Sequence, residues 1–275
     1  MTLTPQQKAA LVVVSGLPAP RGVAGVIVRR WDRQLPRPPG ALVFADQEGG
    51  IVKTFPDLPP WSSARALRGK ARAFRAGLST GRALRRAGVH VDLAPVLDLP
   101  DGPLGSRHFR DPVFGVAFAR GLGRAGVAAC AKHFPGLGSA PVSTDDSTSV
   151  TARLRPRETA AFRAAIRAGV PCVMLSHAFY RGLEGGRASL SPAAYRLLRS
   201  LGFGGVAITD SLNFFRAVPV ERWAPRAVRA GADLLLFTNP AYAERAIRAL
   251  IPLARRGELD EHVVRVLRFR RRFAS

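Results

Sequence analysis

The sequence predicts an α/β fold, a (β/α)8 barrel of parallel strands, on three observations. Eight short apolar runs recur between turn residues; helix-like stretches alternate with the later ones; and six runs end in a polar residue at their carboxyl end. The runs are residues 10–14, 23–28, 41–45, 89–97, 127–131, 170–175, 206–209 and 232–237. They are rich in Val, Leu and Ile and nearly continuous rather than alternating, which is how strands buried on both faces read. Helices are predicted over residues 62–87, 112–124, 153–168, 192–200, 221–230 and 241–256, with a closing amphipathic segment over 258–273. Phe162 and Ile166 show the four-residue spacing of a buried helical stripe. A doubly wound open sheet is the main rival. The 275 residues suit one barrel, so a single domain over 1–275 is expected.

Composition excludes several classes. With 47% hydrophobic residues the chain is not disordered, and no short repeat marks a collagen or coiled coil. No apolar run approaches the ~20 residues that cross a bilayer, so no membrane partner is expected. Only Lys8 precedes the run at Leu11–Val14, so no signal peptide is read and a cytoplasmic location is expected. The net charge is +23, and Lys8, Lys53, Lys70 and Lys132 are the only lysines among 42 basic residues. A field of this size would attract polyanions. The arginines are nevertheless spread over the whole length, without interleaved aromatics on one element, so no nucleic-acid partner is expected.

The strand ends carry the functional signal. Asp46, Asp98, Lys132 with His133, His177, Asp210 and Asn239 each follow an apolar run. In a barrel these ends converge on one pocket. Any single Asp or Asn there could instead cap the following helix. The whole set, with two histidines and a lysine, points to an active site.

Five motifs then occur in order: Asp46-Gln47-Glu48-Gly49-Gly50, Ala94-Pro95-Val96-Leu97-Asp98, Gly105-Ser106-Arg107, Lys132-His133-Phe134-Pro135-Gly136 and Thr209-Asp210-Ser211-Leu212. Together they resemble glycoside hydrolase family 3, in its single-domain β-N-acetylhexosaminidase branch. The resemblance implies a retaining exo-glycosidase without cofactor or metal. Its carbohydrate substrate would be a terminal β-linked N-acetylglucosaminide, often from cell-wall fragments. It gives Asp210 the role of nucleophile and assigns Asp46, Arg107, Lys132 and His133 to the sugar hydroxyls. A carboxylate can accept from two neighbouring hydroxyls, while cationic donors fix the ring without competing as nucleophiles. His177 matches a strand-end histidine that contacts substrate or packs behind it.

The chain also departs from the family pattern. The family's acid/base is a histidine on the loop after the Lys-His-Phe-Pro-Gly strand, and residues 138–149 contain none. Asp145 matches the partner aspartate and Ser147 falls where the histidine would be. Asp145 is therefore the candidate acid/base, with Asp146 beside it. The alternative is a member that binds amino sugars without turnover. Leu137 replaces a frequent histidine, and Ile51 and Thr54 replace arginines for which Lys53 could compensate at one remove.

No helix is predicted within residues 15–22 or 29–40, so two outer helices are missing and apolar strand faces would be left bare. Another copy of the chain, making a homo-oligomer, or the N-terminal segment is expected to cover that flank, with Trp31 helping to seal it. Trp61 is a candidate for stacking on a sugar, with plain loop packing as the alternative. Cys130 and Cys172 are expected to be small core side chains rather than a redox pair.

Overall fold

The computed structural model describes residues 3–184, 186–214 and 219–274. Its centre is an eight-stranded parallel sheet. The strands are β1 (Val13–Ser15), β2 (Gly25–Val28), β3 (Leu42–Ala45), β4 (Val91–Asp92), β5 (Ala128–Phe134), β6 (Cys172–Leu175), β7 (Val206–Thr209) and β8 (Leu235–Phe237). They lie in the order β7-β6-β5-β4-β3-β2-β1-β8. The first strand pairs with the last, Val13 opposite Leu235. The ring closes where Ile208 bridges Leu234 and the Thr209 N–H donates to the Leu234 carbonyl at 3.0 Å.

The period-2 alternation of a strand sorts side chains between two cores. Val14, Ile27, Leu42, Phe44, Val91, Ala128, Met174, Val206, Ile208 and Leu236 share the inner cluster. Val13, Val26, Val28, Val43, Ala129, Val173 and Ala207 face the helix layer instead. Cys130 and Cys172 point inward from paired positions on β5 and β6, with Cα atoms 4.3 Å apart, and are joined as a disulfide. This corrects the expectation of two separate core side chains: register between adjacent parallel strands puts the sulfurs side by side.

The helices are α1 (Pro5–Ala10), α2 (Lys70–Arg86), α3 (Pro112–Arg124), α4 (Pro156–Arg167), α5 (Pro192–Ser200), α6 (Val220–Ala230), α7 (Pro240–Arg255) and α8 (Asp260–Phe273). The predicted helix over 62–87 starts late, because Gly69 adopts a φ of +89° and separates α2 from a 3-10 turn at Ala64–Ala66. As expected, no helix lies between β1 and β2 or between β2 and β3.

The faces there are not bare, however. Val13, Val26 and Val28 are all buried within the one chain. Helix α1, capped by Thr4 and unforeseen from the sequence, packs on α7, and the Ala24 N–H reaches the Ala10 carbonyl at 3.2 Å. The 29–40 loop is held by Arg37, which donates to the carbonyl of Ala87 at 2.8 Å. Of the two coverings expected, the structure shows the N-terminal segment. Trp31 seals nothing: it is 78% exposed beneath the Arg29 guanidinium.

Helix α8 crosses the amino-terminal mouth of the barrel. Its Val266, Phe269 and Phe273 join the inner cluster. It is fixed by Asp233, fully buried just before β8, which accepts from Arg265 Nε at 2.7 Å, Arg199 at 2.7 Å, the Ala207 N–H at 2.9 Å and His262 Nδ1 at 3.0 Å. Burial alone would raise this carboxyl; the bond from His262 and the two guanidiniums outweigh it and hold it below the ordinary range. Asp233→Ala strands those cations around a void. It is expected to cost about 3 kcal/mol, read as a lowered urea midpoint, whereas a change within ~0.5 kcal/mol would show that α8 docks through its apolar face alone.

Candidate active site

The alternation that fills the inner core also delivers the site. Leu42, Phe44 and Asp46 lie on one face of β3 and its continuation; Ala128, Cys130 and Lys132 do so on β5; Val206, Ile208 and Asp210 do so on β7. Asp46, Lys132 and Asp210 thus stand on the last inward-facing tier, at the carboxyl end of the barrel.

Lys132 organises this tier. Its buried ammonium lies 2.6 Å from Asp46 Oδ1 and 2.7 Å from Glu48 Oε1. Glu48 also takes a forked pair from Arg107, Nε to Oε2 and Nη2 to Oε1, both at 2.9 Å. Arg107 sits on a 3-10 turn, Gly105–Arg107, and extends Nη1 to Asp145 Oδ2 at 3.3 Å. One chain of alternating charge therefore links Asp46, Lys132, Glu48, Arg107 and Asp145. Burial disfavours the charges of Glu48, Lys132 and Arg107, but the pairing wins. Glu48 is pulled down to about 2 against its own burial by Lys132 and Arg107, and Lys132 is pushed up against its burial by Asp46 and Glu48. The neighbouring Asp92 accepts the Gln47 N–H at 3.0 Å. It goes the other way: burial drives its carboxyl well above the ordinary range, so a further negative charge is kept out of the cluster.

The second half of the site is built on Asp98. Its carboxylate accepts from His133 Nδ1 at 2.8 Å, the His133 N–H at 3.1 Å and the Leu137 N–H at 2.7 Å. That fixes the imidazole and leaves His133 Nε2 without a partner among the described residues. His177 is nearly enclosed, with Nδ1 2.7 Å from Ser189 Oγ and Nε2 2.9 Å from the Ser211 carbonyl. Asp210 is half-buried, with the Ser211 N–H donating to Oδ1 at 2.7 Å. Burial would raise its carboxyl, but His177, His133, the Ser211 N–H and Lys132 hold it below the ordinary aspartate range. It is an ionised carboxylate at the carboxyl end of the barrel, the form a nucleophile needs.

The structure gathers Asp46, Lys132, Arg107, His133, His177 and Asp210 at one end of the barrel. Asp145 belongs to the rim, its side chain 69% exposed and joined to the site through Arg107. Lys53 does not substitute for the missing arginines: its ammonium donates to the Pro56 carbonyl at 2.7 Å and sits 4.8 Å from the Trp61 ring. Ile51 is 84% exposed, and Thr54 turns inward to the Val28 carbonyl at 3.3 Å. Trp61, beside Lys53, is 72% exposed. Sequence reasoning missed Glu48 as a site residue, and placed Asp98 among the strand-end set without a role of its own. The signal for Glu48 was its place two residues after Asp46 in an extended stretch, where both side chains fall on one side.

With this geometry in view, the chain was compared with known proteins. Residues 28–269 match the model of the glycosyl hydrolase family 3 N-terminal domain. The chain belongs to glycosyl hydrolase family 3. A curated relative named beta-hexosaminidase from Stenotrophomonas maltophilia is 33% identical over 243 residues, covering 78% of this chain and 71% of that one. Among solved structures, the β-N-acetylglucosaminidase of Paenibacillus sp. superposes with a TM-score of 0.87 at 29% identity, covering 98% of this chain and 63% of that one. A family 3 glycosyl hydrolase of Mycobacterium smegmatis gives 0.85 at 29% identity, covering 98% and 97%. The family 3 chain is thus a glycoside hydrolase on the barrel that its sequence predicted. Among the described residues no helix is long and apolar enough to cross a membrane, and no cluster of His, Cys, Asp and Glu could hold a metal.

The Glu48 shift has a stability consequence. A carboxyl held at about 2 when folded and 4.5 when unfolded stabilises fully above pH 4.5, and that contribution is lost as the pH falls toward 2. The expected size is about 3 kcal/mol. Urea unfolding at pH 6 and pH 3 should show about 2 kcal/mol of it lost in the wild type and less in Glu48→Gln; equal losses in the two would show that Glu48 is not the linked group.

Proposed function

We propose that this chain is a retaining exo-glycosidase that removes terminal β-linked N-acetylglucosamine, with cell-wall fragments as the source of such ends. The observation that carries the reading is Asp210, kept ionised at the end of β7 and flanked by His133, His177 and Lys132. Its Oδ attacks the anomeric carbon as the glycosidic C–O bond breaks, giving a covalent glycosyl-enzyme that water then opens. Asp46, Lys132, Arg107 and the free Nε2 of His133 hold the sugar hydroxyls. Both His177 nitrogens are engaged by the chain, so this residue positions Asp210 from behind rather than touching the sugar.

Asp145 is the proposed acid/base: its protonated form gives the leaving oxygen a proton, and the carboxylate so formed, returned to Arg107, later takes one from water. Its support is the link through Arg107, which ties the rim loop to the sugar-binding cluster. The names of the curated relatives and solved structures support the substrate class. A second reading, amino-sugar binding without turnover, is favoured by one observation: residues 138–149 hold no histidine.

A chromogenic aryl β-N-acetylglucosaminide decides between them, because its good leaving group barely needs acid assistance. Turnover is expected, with the β-anomer as first product by NMR. Asp210→Ala should lower kcat at least ~10³-fold. Asp145→Ala should slow an alkyl glycoside ~10²-fold or more, spare the aryl one, and respond to azide. Sugar binding by calorimetry with no aryl turnover selects the second reading, and full activity in Asp210→Ala rejects the assigned chemistry.

A further inference from the structure

The sequence spreads its arginines along the chain; the fold gathers many of them at one end. Strands in this barrel are parallel, so each helix runs back and ends beside the amino-terminal mouth, opposite the active site. The last turns of α2 to α7 carry Arg85 and Arg86, Arg124, Arg167, Arg199, Arg229 and Arg255, and α8 adds Arg270, Arg271 and Arg272. A cation in a last turn complements the helix dipole, which explains each one singly. Their sum is a cationic end face.

Two grooves run across that face, of about 810 and 330 Å³. They are continuous through Gly169, Val170, Pro171, Arg272 and Phe273. Arg85, Arg120, Arg124, Arg265, Arg268 and Arg272 line them, and no carboxylate does. Arg265 is neutralised by Asp233, and Arg85 donates to the Gly126 carbonyl at 3.4 Å. Arg120, Arg124, Arg268 and Arg272 are exposed, and none has a carboxylate partner among the described residues. Arg265, Arg268 and Arg272 follow the i, i+3, i+7 spacing of one helix stripe, so α8 forms one charged wall.

We propose that this groove is a binding site for the phosphodiester backbone of duplex nucleic acid. Guanidinium groups in a long acid-free trough match a linear row of phosphates. The aromatics favour a duplex over an unpaired strand: of the four that line the grooves, Phe203, Phe269 and Phe273 are buried to within 5% and only Phe74 is half-buried, so there is no row of exposed rings on which successive bases could stack. A membrane surface fits less well, since the cations line a concavity and no fully exposed aromatic side chain lines it. Seated this way, the molecule keeps its catalytic mouth turned away from the polymer. The site is thus independent of the chemistry proposed above and revises the expectation of no nucleic-acid partner.

The test is fluorescence anisotropy with a labelled 20-base-pair duplex across a salt series. Four phosphate contacts predict a slope of log K against log salt of about −4. Arg120→Gln, Arg124→Gln and Arg268→Gln combined should weaken binding at least tenfold and flatten that slope by about 3, leaving the thermal midpoint and aryl-glycoside turnover unchanged. The control is Arg157→Gln with Arg222→Gln, in the first turns of α4 and α6 and so at the opposite end of the barrel. An equal loss in the control would overturn the proposal, because net charge alone would then account for binding. So would tighter binding of single-stranded oligonucleotide, or of vesicles rich in anionic lipid, than of the duplex.

Discussion

A buried ammonium needs compensation, and the site is arranged around the way Lys132 receives it. Removing a lysine from water costs several kcal/mol unless carboxylates of good geometry surround it. Here Asp46 and Glu48 supply them from the end of β3, while Arg107 closes the chain from a separate turn. Three segments remote in sequence are thus held in one register by charges that cannot separate without being left unpaired. The same network places cationic donors and a carboxylate acceptor around the space in front of Asp210.

The barrel beneath it provides the rigidity. Strand alternation stacks apolar tiers inside the sheet and ends three strands on an inward-facing polar residue, Asp46, Lys132 and Asp210. Asp98 then fixes the next turn by accepting from both the backbone and the ring of His133. The cluster of Asp46, Glu48, Arg107, Lys132, His133 and Asp210 is confined to the carboxyl end. The opposite end, closed by α8 and fastened by Asp233, is left to the arginines that terminate the helices.

Much of this was legible in the sequence because it follows from local periodicity. Continuous Val, Leu and Ile runs marked the strands, and the residues just past them marked the site. What escaped depends on contacts distant in the chain. Glu48 acquires its role only when Arg107, 59 residues away, folds over it. The Cys130–Cys172 bond needs the register of two adjacent strands, and the cover over β1 and β2 needs α1 to dock on α7. A composition with 42 basic residues reads as diffuse until parallel topology brings the helix ends together.

The account turns on the covalent role of Asp210, which trapping tests most directly. An N-acetylglucosaminyl fluoride bearing a ring fluorine forms its glycosyl-enzyme faster than water releases it. Intact-mass and peptide-mapping mass spectrometry should find one added sugar, with fluoride lost, on the peptide that carries Asp210. A label on any other carboxylate, or turnover with no ester formed, would contradict the account.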